Sequence, residues 1–256
     1  MEKYIKECIY IQLILPTTMA STSAHLDEQF ASAVAHGVCP DFTIPSICTA
    51  TIVFTLNKPQ ISLQSVLLCK NLNIRTQKKK NNGKTYRPFS NAITVIFDKT
   101  KTIKVFSNGR LHTTGCTHVV YAESLVQRFI LAMEWSEDDV KITETKILTL
   151  NSTFRLMPQT TICLQTMFDK LKLQVKDDNF QVRYTPDIYQ GLVLKTKDPK
   201  SDTKRNISVL FFYTGSIILC GVREPHELEY GITFIHKLIR DILPSIAVTP
   251  SLPELP

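Results

Sequence analysis

The residues of this chain best equipped for chemistry are cationic, and the chemistry they offer is the capture of anions. Arg75 to Arg87 carries Lys78, Lys79, Lys80, Lys84 and Arg87, just ahead of Phe89. Lys195 to Arg205 carries Lys195, Lys197, Lys200, Lys204 and Arg205. A lysine run taken alone reads as a solvated loop. Two such runs in a chain of formal net charge +7 also suit a polyanion, because Lys and Arg set against phosphate release condensed counterions. Bond-making chemistry has no comparable residues. The chain contains no GxxxxGK, no HExxH and no pair of carboxylates beside a His. Glu224-Pro225-His226-Glu227 reads as the polar start of a helix. His36, Cys39 and Cys48 lack the fourth partner a zinc site needs, and seven scattered cysteines without a CxxC pair read as thiols. The expectation is a protein with no catalytic residue, no metal and no cofactor: not an enzyme.

The binding residues must be held by a unit that occurs twice. Ile103–Gly115 reads IKVFSNGRLHTTG and Val209–Gly221 reads VLFFYTGSIILCG, pairing Phe106 with Phe212, Gly109 with Gly215 and Gly115 with Gly221 at one constant offset. Of only eight glycines, four fall in these segments, so backbone geometry rather than composition explains them. Each segment is an apolar run, a tight turn at Gly109 or Gly215 that needs positive φ, and a second apolar run. A helical period comes next in both copies, at Leu125, Val126, Phe129 and Met133, and at Leu228, Ile232, Ile235 and Ile239. Upstream, Ile61–Val66 recurs as Ile162–Met167, each after a β-branched stretch suited to a strand, Thr49–Leu56 or Ile142–Phe154. The half-unit therefore reads strand, short helix, antiparallel strands, long helix. Residues 1–45 are expected as an N-terminal arm, 46–138 and 139–243 as the two halves, and 244–256 as a proline-rich tail that leaves the helix at Pro244. No apolar stretch approaches the roughly 20 residues of a membrane-spanning helix.

These residues resemble the TATA-box-binding protein family. The segments VFSNGRLHTTG and FFYTGSIILCG look like the strand–turn–strand of each half of that family. Arg87-Pro88-Phe89 resembles its Lys-Arg-Phe, and Tyr184-Thr185-Pro186-Asp187-Ile188-Tyr189-Gln190-Gly191-Leu192 is similar to its Tyr-Glu-Pro-Glu-Leu-Phe-Pro-Gly-Leu. The resemblance runs in order from about Ser46 to Leu243, and its divergence looks most like the outlying copies encoded by large DNA viruses. It implies an α+β saddle: two pseudo-symmetric halves forming one curved antiparallel sheet, with helices on the convex face and DNA under the concave one. Bending DNA through the minor groove is a property of that family, carried over here by resemblance.

By position, the resemblance maps the family's aromatic wedges to Phe89 and Phe106 in the first half and to Tyr189 and Phe212 in the second. Period-2 alternation sets His112 and Thr114 on one strand face and Ile218 and Cys220 on its equivalent. The family has an apolar residue and Thr at each pair, so His112 and Cys220 depart from it. Arg110 and Lys195 stand at phosphate-contacting positions, and Lys104 falls on the same face where the family has Leu. Val95 and Ser216 replace two family cations. The family's groove-centring Asn is absent near Thr49 and Ala50, and Asn151 matches its second copy only if an insertion comes after it. The implied partners are double-stranded DNA, a factor-IIB-like protein and the RNA polymerase machinery, with no membrane. The implied setting is intracellular, in the nucleus or a cytoplasmic viral factory, with packaging in the virion open. The alternative is the same fold serving as a protein-interaction or scaffold module with weak or sequence-indifferent DNA binding.

Overall fold

The computed structural model of this 256-residue chain describes residues 21–75, 91–136, 138–157, 160–174, 180–201 and 205–248. Its elements are α+β throughout. In chain order they are α1 (Ser21–His36), β1 (Ser46–Leu56), α2 (Leu63–Leu68), β2 (Ala92–Phe97), β3 (Lys101–Phe106), β4 (Arg110–Cys116), α3 (Val119–Ala132) and β5 (Ile142–Arg155). Next come β6 (Thr161–Ile162), α4 (Leu164–Gln174), β7 (Phe180–Thr185), β8 (Tyr189–Thr196), β9 (Ile207–Phe211), β10 (Ser216–Val222), α5 (Pro225–Ile246) and β11 (Ala247–Val248). The described residues fall into two compact units, those within Met1–Glu28 and Thr49–Leu148, and those within Gln29–Cys48 and Thr149–Pro256.

In the first unit the antiparallel order is β2-β3-β4-β1. Alternation along these strands decides which side is core: Ile52, Phe54, Ile103, Val105 and Leu111 are fully buried. Helix α3 packs on β4 and buries Ala122, Leu125, Val126, Phe129 and Ile130, the face its period predicts. Met133 caps the C-terminus of α3 rather than extending its buried stripe. The helix lacks a capping side chain of its own. Asp27 of α1 supplies one, its carboxylate accepting from the Val119 and Val120 N–H groups at 2.8 and 3.0 Å. A carboxylate there satisfies two orphan donors and meets the positive end of the helix dipole.

The second unit has the order β5-β10-β9-β8-β7, again antiparallel. Helix α5 packs on β10 and α4 packs on β7. Leu228, Ile232, Ile235 and Ile239 are all fully buried, as their spacing requires. Glu224 and Glu227 form a capping box at the start of α5, so that tetrapeptide does open a helix. Pro244 does not end it. The helix continues to Ile246, because a proline in the last turn forfeits little; the Ala247 N–H still closes on the Leu243 carbonyl. Ala247–Val248 then pairs with Thr161–Ile162. Residues 249–256 lie outside the described residues.

Described residues of the segment expected as an arm contribute to the core. Phe30, Ala33 and Val34 are buried. Phe42 bridges to Leu156 and stacks on the His236 ring at 4.3 Å. Among the described residues, His236 Nε2 is buried without a hydrogen-bond partner. Burial, then nearby Arg240, holds the His236 pKa below its usual 6.5, against a smaller pull from Asp41. A depressed histidine pKa means the fold favours the neutral ring. That stability is complete above pH 6.5 and is lost as pH falls below it toward the folded value. His236→Phe is therefore expected to shrink the loss of melting temperature between pH 7.5 and 5; an unchanged acid slope would remove His236 as its source.

Candidate nucleic-acid interface

In each unit the helices cover one side of the sheet, and the strands turn their other residues outward. The turns that aim these strands are built alike. Gly109 (φ +81°) and Gly215 (φ +75°) each press on a backbone carbonyl: a Cβ would lie 2.3 Å from the Lys58 oxygen in one and 2.3 Å from the Thr160 oxygen in the other. The Leu56 N–H donates to the Gly109 carbonyl and the Ile61 N–H to that of Ser107. Leu156 to Gly215 and Ile162 to Tyr213 repeat the pattern. Phe106 and Phe212 are held beside these turns, at the same place in both units.

The outward face of the first unit reads in rows set by strand register. Thr51 lies opposite Thr114, which lies opposite Thr102, and the two hydroxyls of Thr102 and Thr114 bond each other at 2.7 Å. Val53 lies opposite His112, His112 opposite Lys104, and Lys104 opposite Thr94. Thr55 lies opposite Arg110, and Phe106 opposite Ala92. The Phe106 and His112 rings meet at 4.5 Å with a 47° tilt. Arg110 is exposed, while Phe106, Lys104, His112 and Thr114 are half-buried. Burial, followed by the charges of Lys104 and Arg110, keeps the His112 pKa below the ordinary value. Phe89 and the Lys78–Arg87 run lie outside the described residues.

The second unit repeats the rows with different chemistry. Cys220 lies opposite Ser208, Ser208 opposite Lys195, and Lys195 opposite Gln181. Thr153, Ile218, Leu210, Val193 and Arg183 make the next row. Arg155 lies opposite Ser216, but its guanidinium is turned back to donate to the Thr214 carbonyl at 3.2 Å. Tyr189 and Phe212 meet edge to face at 6.2 Å. Gly191 lies beneath them: a Cβ there would come within 2.7 Å of the Tyr189 ring and 3.1 Å of the Phe212 ring. Burial raises the Cys220 thiol pKa, so the residue stands as a neutral, small apolar group.

The described candidates thus all stand on outward faces, five of them in the first unit (Lys104, Phe106, Arg110, His112, Thr114) and five in the second (Lys195, Tyr189, Phe212, Ile218, Cys220). Register also sorts the departures. Val95 is fully buried, so it is Ile96, opposite Thr102, that occupies the place Lys195 takes opposite Ser208. Asn151 accepts from the Gly221 N–H at 3.4 Å, and it stands one strand over from Cys220, as Thr51 does from Thr114. Sequence reasoning missed three residues of this surface. Arg183 extends the Ile218 row, and alternation from Gln181 could have found it. Gly191 seats two rings, which no local signal shows. Ile188, 79% exposed at the tip of the β7–β8 turn, could have been read from its place beside Pro186.

Faces of this kind can grip phosphate, with Lys104 and Arg110 in the first unit and Arg183 and Lys195 in the second, and each can offer rings to a base stack. Among the described residues these faces hold no nucleophile–base pair. Residues 161–242 match the family model described as transcription factor TFIID (or TATA-binding protein, TBP). A solved structure, Methanococcus jannaschii TBP, has the same fold: the match has a TM-score of 0.55 at 16% identity and covers 77% of this chain and 98% of that one. No curated protein sequence matches the chain.

Proposed function

We propose that this chain, whose residues 161–242 match the TATA-binding protein family model and whose fold is that of a TATA-binding protein, is a transcription-initiation factor that binds promoter DNA through the minor groove and bends it. The observation that supports this most is the placement of Phe106 and Phe212 beside equivalent glycine turns, each at the margin of an outward strand face. Two rings so placed can enter base steps, and an unstacked step lets more of each face reach the groove. Arg110, Lys104 and Lys195 supply the phosphate grip, and Tyr189 shares its end of the face with Phe212. In this reading the chain works with a factor-IIB-like protein and RNA polymerase, in the nucleus or a cytoplasmic viral factory.

The test is duplex affinity measured by fluorescence anisotropy across salt concentrations. Affinity is expected to fall steeply with salt, and Arg110→Ala or Lys195→Ala should each reduce the log–log slope by about 1, the share of one phosphate contact. Failure to bind any duplex at low salt would overturn the proposal and leave the protein-interaction reading of the fold. Binding that persists but ignores sequence would keep the DNA reading and reject recognition of an A·T-rich element.

A further inference from the structure

The two outward faces are alike in backbone, and one of the positions at which they differ lies in the middle of its row. In the first unit it is His112, set between Val53 and Lys104. In the second it is Ile218, set between Thr153 and Leu210. We infer that His112 is a base-reading residue that lets the first unit accept a G·C pair in the minor groove, where Ile218 of the second unit disfavours one. The inference rests on the groove-binding function proposed above and assigns it a specificity.

Minor-groove chemistry makes the contrast sharp. A·T and T·A present only acceptors there, and G·C differs by one donor, the guanine amino group. Set against an isoleucine side chain, that donor loses water and gains no partner from it, which is the costly case for a buried polar group. A neutral imidazole carries one donor and one acceptor nitrogen, so it can receive the amino hydrogen. The residues directly across from His112 cannot do so: Val53 is apolar and Lys104 only donates. Phe106 beside it is apolar and Arg110 only donates, while the Thr102 and Thr114 hydroxyls, bonded to each other, keep acceptor capacity in the next row. No described protein group hydrogen-bonds the His112 ring, while the Phe106 ring packed against it limits its rotation.

The charged groups near His112 also keep it in the form the contact requires. Lys104 faces it from β3 and Arg110 lies two residues away on β4; β1 contributes Thr51, Val53 and Thr55, which do not titrate. Both cations and partial burial favour the neutral ring, so the acceptor is present at neutral pH. Protonation at acid pH removes that acceptor and makes both nitrogens donors, suited to the acceptors of an A·T pair.

The experiment moves a single G·C pair through an A·T-rich duplex and measures affinity for the full chain, His112→Ile and His112→Gln at pH 7.5 and 5.5. Wild type at pH 7.5 is expected to tolerate G·C at one or two adjacent positions within about 3-fold, and His112→Ile to lose roughly 5- to 100-fold at those positions alone, the cost of one unpaired buried donor. His112→Gln, which keeps an acceptor, restores tolerance at both pH values. Any change in wild type between pH 7.5 and 5.5 is toward the behaviour of His112→Ile on the G·C duplexes, as the ring takes up a proton. The inference is overturned if His112→Ile binds the A·T duplex like wild type and shows the same penalty at every G·C position. That outcome leaves DNA binding intact, whereas absence of binding to every duplex at low salt defeats the function on which the inference rests.

Discussion

Phe106→Ala/Phe212→Ala is expected to lower affinity for an A·T-rich duplex by roughly 100- to 1,000-fold, and to abolish bending, with little change in melting temperature. Each ring that stacks on a base contributes about 1–3 kcal/mol by alanine substitution, and two such losses in separate units add. Stability is spared because neither ring belongs to the core. Both are half-buried on outward faces, whereas their neighbours Val105 and Phe211 are fully buried and carry the packing. The single variants should be unequal. Phe212 shares its end with Tyr189 over Gly191, so Tyr189 partly covers its loss. Among the described residues, the ring recorded against Phe106 is that of His112. Bend angle by fluorescence resonance energy transfer is the deciding measurement, and wild-type bending by the double variant would sink the wedge assignment.

Gly215→Ala is expected to destabilise the chain by about 3 kcal/mol or more, against about 1–2 kcal/mol for Gly221→Ala. Both glycines have positive φ, +75° and +88°, so both variants incur the conformational cost of an L-residue there. Only Gly215 adds a collision, with its Cβ 2.3 Å from the Thr160 carbonyl oxygen; the nearest atom to Gly221 is 3.7 Å away. The turn has little freedom to relax, because the Gly215 and Tyr213 carbonyls accept from the Leu156 and Ile162 N–H groups. Thermal melts of both variants decide the matter, and equal losses would show that the close approach is relieved at no cost. Because this turn positions Phe212, Gly215→Ala should also weaken DNA binding at temperatures where it remains folded.

These two predictions draw on different levels of information. The turn and the ring beside it were legible in the residues, since a glycine that needs positive φ and a period-2 strand are local properties. The buried stripes of α3 and α5 were legible for the same reason, as was the helix start at Glu224. The end of α5 was not. Pro244 is a reliable stop in a helix interior, but in a last turn it forfeits one bond, and the pairing of β11 with β6 then sets the path of the chain beyond Ile246.

Cross-strand partners were legible only in part, because they depend on which register closes across dozens of intervening residues. From sequence, Val95 was the position where a phosphate-binding cation was missing. In the fold Val95 faces the core and Ile96 holds the corresponding outward place. A shift of one residue reverses every side chain of a strand, so small uncertainty in alignment becomes a full change of face. Phe42 shows the same limit at longer range: nothing around it in the sequence says that it will stack on His236.

By itself, then, the sequence determined that this protein is a duplicated α+β unit with an aromatic residue and a glycine turn at matching ends, and that His112 and Ile218, Thr114 and Cys220, Arg110 and Ser216 are paired differences between its halves. Those conclusions need only backbone period and the φ that glycine alone adopts freely. Tertiary structure decided which residues surround each difference: Lys104 and Val53 beside His112, Leu210 and Thr153 beside Ile218, and two rings seated on Gly191. Neighbours across strands are set by register and packing, and it is those neighbours that give a histidine or an isoleucine on an open strand its chemistry.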